Sequence, residues 1–168
     1  MLTDQATVQI AAPAGAVYDV VADVTSTGQR SPECRRIEWL GDPARPIVGA
    51  RFRGRNRWRG YTWWRTVHIV AADRGREFVF ATKPGRGIYH DTTTWAYRFE
   101  PTGEGTTRVT ESYLLRAPRW IQAMDTALGR PKALHHGMQR TLANLKHAAE
   151  QQAATATKNR TRKDDESR

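Results

Sequence analysis

A single cysteine, Cys34, stands among 168 residues, so no disulfide can form within the chain. No histidine neighbours it to activate the thiol, and a buried spectator is the expected role. The opening residues MLTDQATVQI have neither a basic leader nor a long apolar stretch, so no secretory signal is expected. No run approaches the roughly 18 apolar residues of a membrane span. Together these absences point to a reducing, cytoplasmic setting. There is no Gly-x-Ser-x-Gly elbow, and Gly85-Arg86-Gly87 lacks the strand-then-helix setting of a phosphate loop. Acidic residues are also scarce, 17 against 27 Lys and Arg, which leaves a formal charge of +10. None falls between Arg51 and Arg65.

What the chain does have is aromatic bulk and clear periodicity. Its length suits one domain, and six tryptophans suggest a wide aromatic interior or a lined pocket. Residues 3–11 alternate Ala6, Val8 and Ile10 with polar neighbours, the pattern of a half-buried strand. Pro13 then opens a short helix whose Val17, Val20, Val21 and Val24 share a face, and a second helical turn is expected near Gly28 to Ser31. Strands follow over 35–40, 51–58, 61–72, 77–82, 90–100 and 106–115, separated by short Gly, Pro and Asp turns. Short turns favour antiparallel pairing. After Pro118 the period becomes helical, with Trp120, Met124 and Leu128 four apart. Gly129-Arg130-Pro131 should interrupt that helix. Leu134, Met138, Thr141, Leu142, Leu145 and Ala148 then mark a long amphipathic helix over about 132–150.

The expected fold is therefore α+β: a curved seven-stranded antiparallel sheet around a long C-terminal helix, with two short helices after the first strand. Residues 1–152 form this single domain. Residues 153–168, small, polar and charged, are expected to be a disordered tail. With Arg51, Arg53, Arg55 and Arg57 on one strand face, Phe52, Gly54, Asn56 and Trp58 fall on the other. The arginines read as a solvated outer face that opposes edge aggregation. That reading argues against nucleic acid and leaves open contact with acidic partners or an anionic membrane surface.

The order of these strings resembles the SRPBCC superfamily, the START-like or helix-grip proteins, in its polyketide cyclase/dehydrase and lipid-transport branch. The strings are APAGAVYDVVADV, Ser31-Pro32-Glu33-Cys34, Val48-Gly49-Ala50-Arg51-Phe52-Arg53-Gly54-Arg55-Asn56-Arg57, Val109-Thr110-Glu111-Ser112-Tyr113 and the terminal helix, covering about residues 2–150. The resemblance implies a deep cavity between sheet and helix that holds a small hydrophobic ligand such as a lipid or polyketide. It implies a carrier or receptor as readily as an enzyme, and a monomer or a homodimer.

Two polar residues are expected to point inward. Asn56 shares a face with Phe52 and Trp58, and Glu111 shares one with Val109, Tyr113 and Leu115. An unpartnered buried polar group costs roughly 1–3 kcal/mol, so such groups imply an internal network, water or a ligand. The expected ligand-binding set is Glu33, Trp39, Phe52, Asn56, Trp58, Phe78, Phe80, Trp95, Tyr97, Tyr113, Met138 and Leu142. The alternative is a cyclase/dehydratase with Glu111 and His135 as acid and base. His135 and His136 are adjacent on a helix, about 100° apart, and cannot easily chelate one ion. Neither a metal nor another cofactor is expected. Of the adjacent Trp63 and Trp64, one must face out.

Overall fold

Alternating burial is clearest along the first, third and last of seven strands, which form one open sheet in a computed structural model that describes residues 1–42, 44–84 and 91–166, with side chains to 159. The strands are β1 (Leu2–Ile10), β2 (Cys34–Leu40), β3 (Arg51–Trp58), β4 (Tyr61–Asp73), β5 (Glu77–Thr82), β6 (Thr92–Gly103) and β7 (Thr106–Arg116). Their spatial order is β1-β7-β6-β5-β4-β3-β2, antiparallel throughout. Each neighbour in sequence is a neighbour in space except β1, which crosses to pair with the last strand. The expectation that β6 opens at His90 and the turn at Gly85-Arg86-Gly87 lie outside the described residues.

Between β1 and β2 sit α1 (Ala14–Ala22), a single turn of tighter helix (Val24–Ser26) and α2 (Thr27–Arg30). Pro13 precedes α1 with an extended backbone, as its fixed φ and missing N–H favour at a helix start. The face Val17, Tyr18, Val20 and Val21 is buried, and Tyr18 meets Phe78 and Phe99 edge-on.

After β7 come α3 (Arg119–Ala127) and α4 (Arg130–Glu166). The expected break at Gly129 is present. Gly129 has φ +73°, a conformation glycine adopts without the Cβ clash of other residues, and a new helix begins at once with Pro131 in its first turn. On α3 the stripe Trp120, Met124 and Leu128 is exposed, and Ile121 carries the buried contact. On α4 Met138, Thr141, Leu142, Leu145 and Ala149 are buried against the sheet. The helix does not stop near 150 but runs on to Glu166, through the stretch whose composition suggested disorder. Alanine and long straight side chains have high helix propensity, and Thr155 and Thr157 hydroxyls return hydrogen bonds to the carbonyls of Gln151 and Ala153.

Polar clamps hold the helix on the first strand and on α2. Lys146 Nζ donates to the Gln9 carbonyl, Glu150 accepts the Ala11 N–H, and Asn144 donates to the Arg30 carbonyl. The buried Thr107 hydroxyl donates to the Ala12 carbonyl and fixes the corner between β1 and α1.

Candidate functional site

The inner face of the sheet is built by period-two alternation, so its lining follows directly from register. Glu111 stands opposite Ala6 on one side and Tyr97 on the other, and Tyr97 stands opposite Phe78. In the next rows lie Asp4, Tyr113, Trp95 and Phe80, then Leu2, Leu115 and Thr93. Further round the curve Phe52 pairs with Trp39 and Val67, while Asn56 pairs with Cys34 and Trp63. Burial is uneven along this face. Phe52, Phe78, Tyr97, Tyr113, Met138 and Leu142 are buried, whereas Trp39, Asn56, Trp58, Trp63, Phe80 and Trp95 are only half-buried. Gly54, an inner position with no side chain, leaves room beside Cys34 and Asn56.

Glu111 lies at the buried end of this lining and is 4% exposed. The Tyr97 hydroxyl donates to its Oε1 at 2.7 Å, and its Oε2 has no hydrogen-bond partner among the described residues. Burial pushes its pKa up to about 8, against the smaller lowering effect of the Tyr97 hydrogen bond. Near neutrality the group is therefore largely a neutral carboxylic acid. Burial, and then the proximity of Glu111, raises Tyr97 well above the usual tyrosine value.

Two further groups reach the Tyr97 hydroxyl region electrostatically, Arg30 from α2 and Cys34 from β2. Arg30 is buried, with Nη1 on the Ser26 hydroxyl and Nη2 on the Asp23 carbonyl at 3.1 Å. The Cys34 thiol is pushed up to about 11 by burial, so it stays protonated and unreactive. Cys34 reaches the inner face through a β-bulge. The register slips between Cys34 and Arg36, so Cys34 and Ile37 face the same way despite their odd spacing.

A second polar cluster closes the other end. Arg130, at the start of α4, donates to both carboxylate oxygens of Glu33 at 2.6 and 2.7 Å. Its guanidinium lies over the rings of Trp58 at 5.0 Å and Trp63 at 5.7 Å. Nearby Arg65 pairs with Asp91. Trp64, the other member of the adjacent pair, faces out under Arg53 at 4.8 Å.

The structure gathers Tyr97, Glu111 and Tyr113 on the inner sheet face, with Met138 and Leu142 on the buried face of α4. Glu33, Asn56 and Trp58 lie toward the Arg130 end. It does not bring His135 onto Glu111. His135 Nδ1 is 2.8 Å from Asp4 Oδ2 on the edge strand, and its Nε2 meets Gln139. Sequence reasoning missed Arg30 and Arg130, left open which of Trp63 and Trp64 faces in, and gave Cys34 no place in the lining. Arg130 carried one signal, its position between Gly129 and Pro131 at a helix start. The bulge that turns Cys34 inward left none. Among the described residues no group of three or more His, Cys, Asp or Glu gathers where it could hold a metal ion, and no helix is long and apolar enough to cross a membrane.

Known proteins share this fold. A family model described as polyketide cyclase / dehydrase and lipid transport matches residues 1–150. No curated protein matches. Among solved structures, the Zhui aromatase/cyclase from Streptomyces sp. R1128 is 19% identical, with 91% of this chain and 93% of that one covered at a TM-score of 0.61. A START superfamily protein from Mycobacterium smegmatis is 16% identical, with 92% and 98% covered at 0.62. The di-domain ARO/CYC StfQ from the steffimycin biosynthetic pathway is 16% identical at 0.64, and the chain spans 45% of its length while 89% of the chain is covered. At these identities the likeness is one of fold.

Proposed function

Because the chain belongs to the polyketide cyclase / dehydrase and lipid transport family, we propose that it binds a small hydrophobic ligand between the inner sheet face and α4, with Glu111 as the polar anchor. One observation carries the reading: a buried carboxyl with an unpartnered oxygen, at the end of a run of half-buried inward aromatics. A buried polar group without a partner costs roughly 1–3 kcal/mol, and a ligand that completes its hydrogen bonding recovers that cost. The aromatics supply apolar area, worth about 25 cal/mol per Å² before the costs of association. Native mass spectrometry of freshly purified protein tests it. A co-purified hydrophobic molecule is expected, and its absence together with failure to take up Nile red would remove the proposal.

The same carboxyl favours a second reading, a cyclase or dehydratase in which Glu111 gives up a proton near neutrality. His135 makes a poor partner for it, since its ring is held by Asp4 and Gln139. Turnover of a poly-β-keto thioester that Glu111→Gln abolishes, with binding retained, would establish this reading over simple carriage.

A further inference from the structure

Resting on the hydrophobic-ligand reading above, we infer that the anchored end of the ligand is an uncharged hydrogen-bond acceptor, such as a ketone oxygen, which receives the carboxyl O–H of Glu111 at Oε2. The geometry assigns the two oxygens different tasks. Oε1 already accepts the Tyr97 hydroxyl, so the neutral acid carries its own proton on Oε2, the oxygen without a partner. A ligand end at that point must accept.

The surrounding groups argue against a charged end. From α2, Arg30 binds the Ser26 hydroxyl and the Asp23 carbonyl, and its charge acts on Tyr97 rather than on Glu111. From β2, Cys34 is a protonated thiol. From β6 and β5 come Tyr97 and the hydrocarbon of Phe78. From β1, Ala6 lies opposite, and the nearest acid on that strand's inner face, Asp4, holds His135 of α4. The rest of α4's buried face is Met138, Thr141, Leu142 and Leu145, with the Thr141 hydroxyl on the Gly137 carbonyl. Tyr113 flanks Glu111 on its own strand. A fatty-acid carboxylate at Oε2 would meet no cation that acts on Glu111 among the described residues. An amine would require an ionised Glu111 and the desolvation of two charges. A carbonyl oxygen requires neither.

The test is displacement of Nile red from the full chain by three matched chains: methyl undecyl ketone, laurate and dodecylamine. Below pH 8 the ketone is expected to displace at a concentration about tenfold lower than either charged chain. Glu111→Gln, whose amide N–H still donates, keeps that preference and holds it above pH 8, where the wild type loses it as Glu111 ionises. Glu111→Leu abolishes the preference. Laurate or dodecylamine displacing as well as the ketone would overturn the inference while leaving the hydrophobic site intact. So would a wild-type preference that ignores pH, an outcome that does not depend on Glu111→Leu folding. Failure of every chain and of Nile red to bind would remove the site itself, and the inference with it.

Discussion

Glu111 shows how one residue couples stability to pH. Its folded-state pKa of about 8 lies above the ordinary glutamate value of 4.5 because burial disfavours the charge. The unfolded chain therefore releases this proton first as pH rises. Its contribution to stability is fully present below pH 4.5 and is lost progressively up to about pH 8. Glu111→Gln keeps the acceptor for Tyr97 and removes the ionisation. Thermal melts are expected to show the variant more stable than the wild type near pH 8, on the order of a few kcal/mol, with the gap closing toward pH 4.5. A gap that does not change with pH would contradict the assignment. Tyr97→Phe acts in the opposite sense. It strips the hydrogen bond that lowers the Glu111 pKa, costs about 1–3 kcal/mol, and extends the loss, which still begins near pH 4.5, to a higher pH. Glu111 was legible in the sequence because Val109, Tyr113 and Leu115 recur at a spacing of two with it and mark the inward face. Its Tyr97 partner was expected only as apolar lining, since the pairing depends on a hairpin register that slips between Pro101 and Gly103.

Elements end and meet where local chemistry leaves no alternative, and two glycines separate two kinds of constraint. Gly129 has a positive φ but open space around an added Cβ, so Gly129→Ala meets only the backbone penalty, about 1 kcal/mol. At Gly28 an added Cβ would lie 2.4 Å from the Arg35 carbonyl oxygen, where α2 packs on β2. Gly28→Ala must displace backbone and is expected to cost more, about 1–3 kcal/mol by denaturant unfolding. The reverse order would show that α2 shifts freely. The Arg130–Glu33 pair is a third element-scale contact, with side chains 16% and 24% exposed and two indoles against the guanidinium. Arg130→Ala leaves a half-buried carboxylate unpaired, so about 2 kcal/mol or more is expected. Breaking the exposed Arg74–Asp19 pair should cost much less in the same unfolding assay. The sequence placed the helix break here but not the ion pair, because Glu33 and Arg130 are 97 residues apart.

At the scale of the whole molecule, the sheet and its central helix were legible because both periods are clean: two along β3 and β7, near 3.6 along α4. The end of α4 was not, because beyond 153 propensity and burial point different ways. Ala149 is fully buried and Ala153 still packs on the core, but 154–159 are exposed. Helix formed without tertiary contact adds little to the stability of the fold. Truncation after residue 156 is therefore expected to leave the unfolding midpoint unchanged within about 2 °C, since a loss of 1 kcal/mol would shift it by only a few degrees. Far-ultraviolet circular dichroism should meanwhile lose signal in proportion to the helical residues removed. If instead the midpoint falls by about 5 °C or more, the last turns of α4 bear on the core, and the helix is held by contacts along its full length.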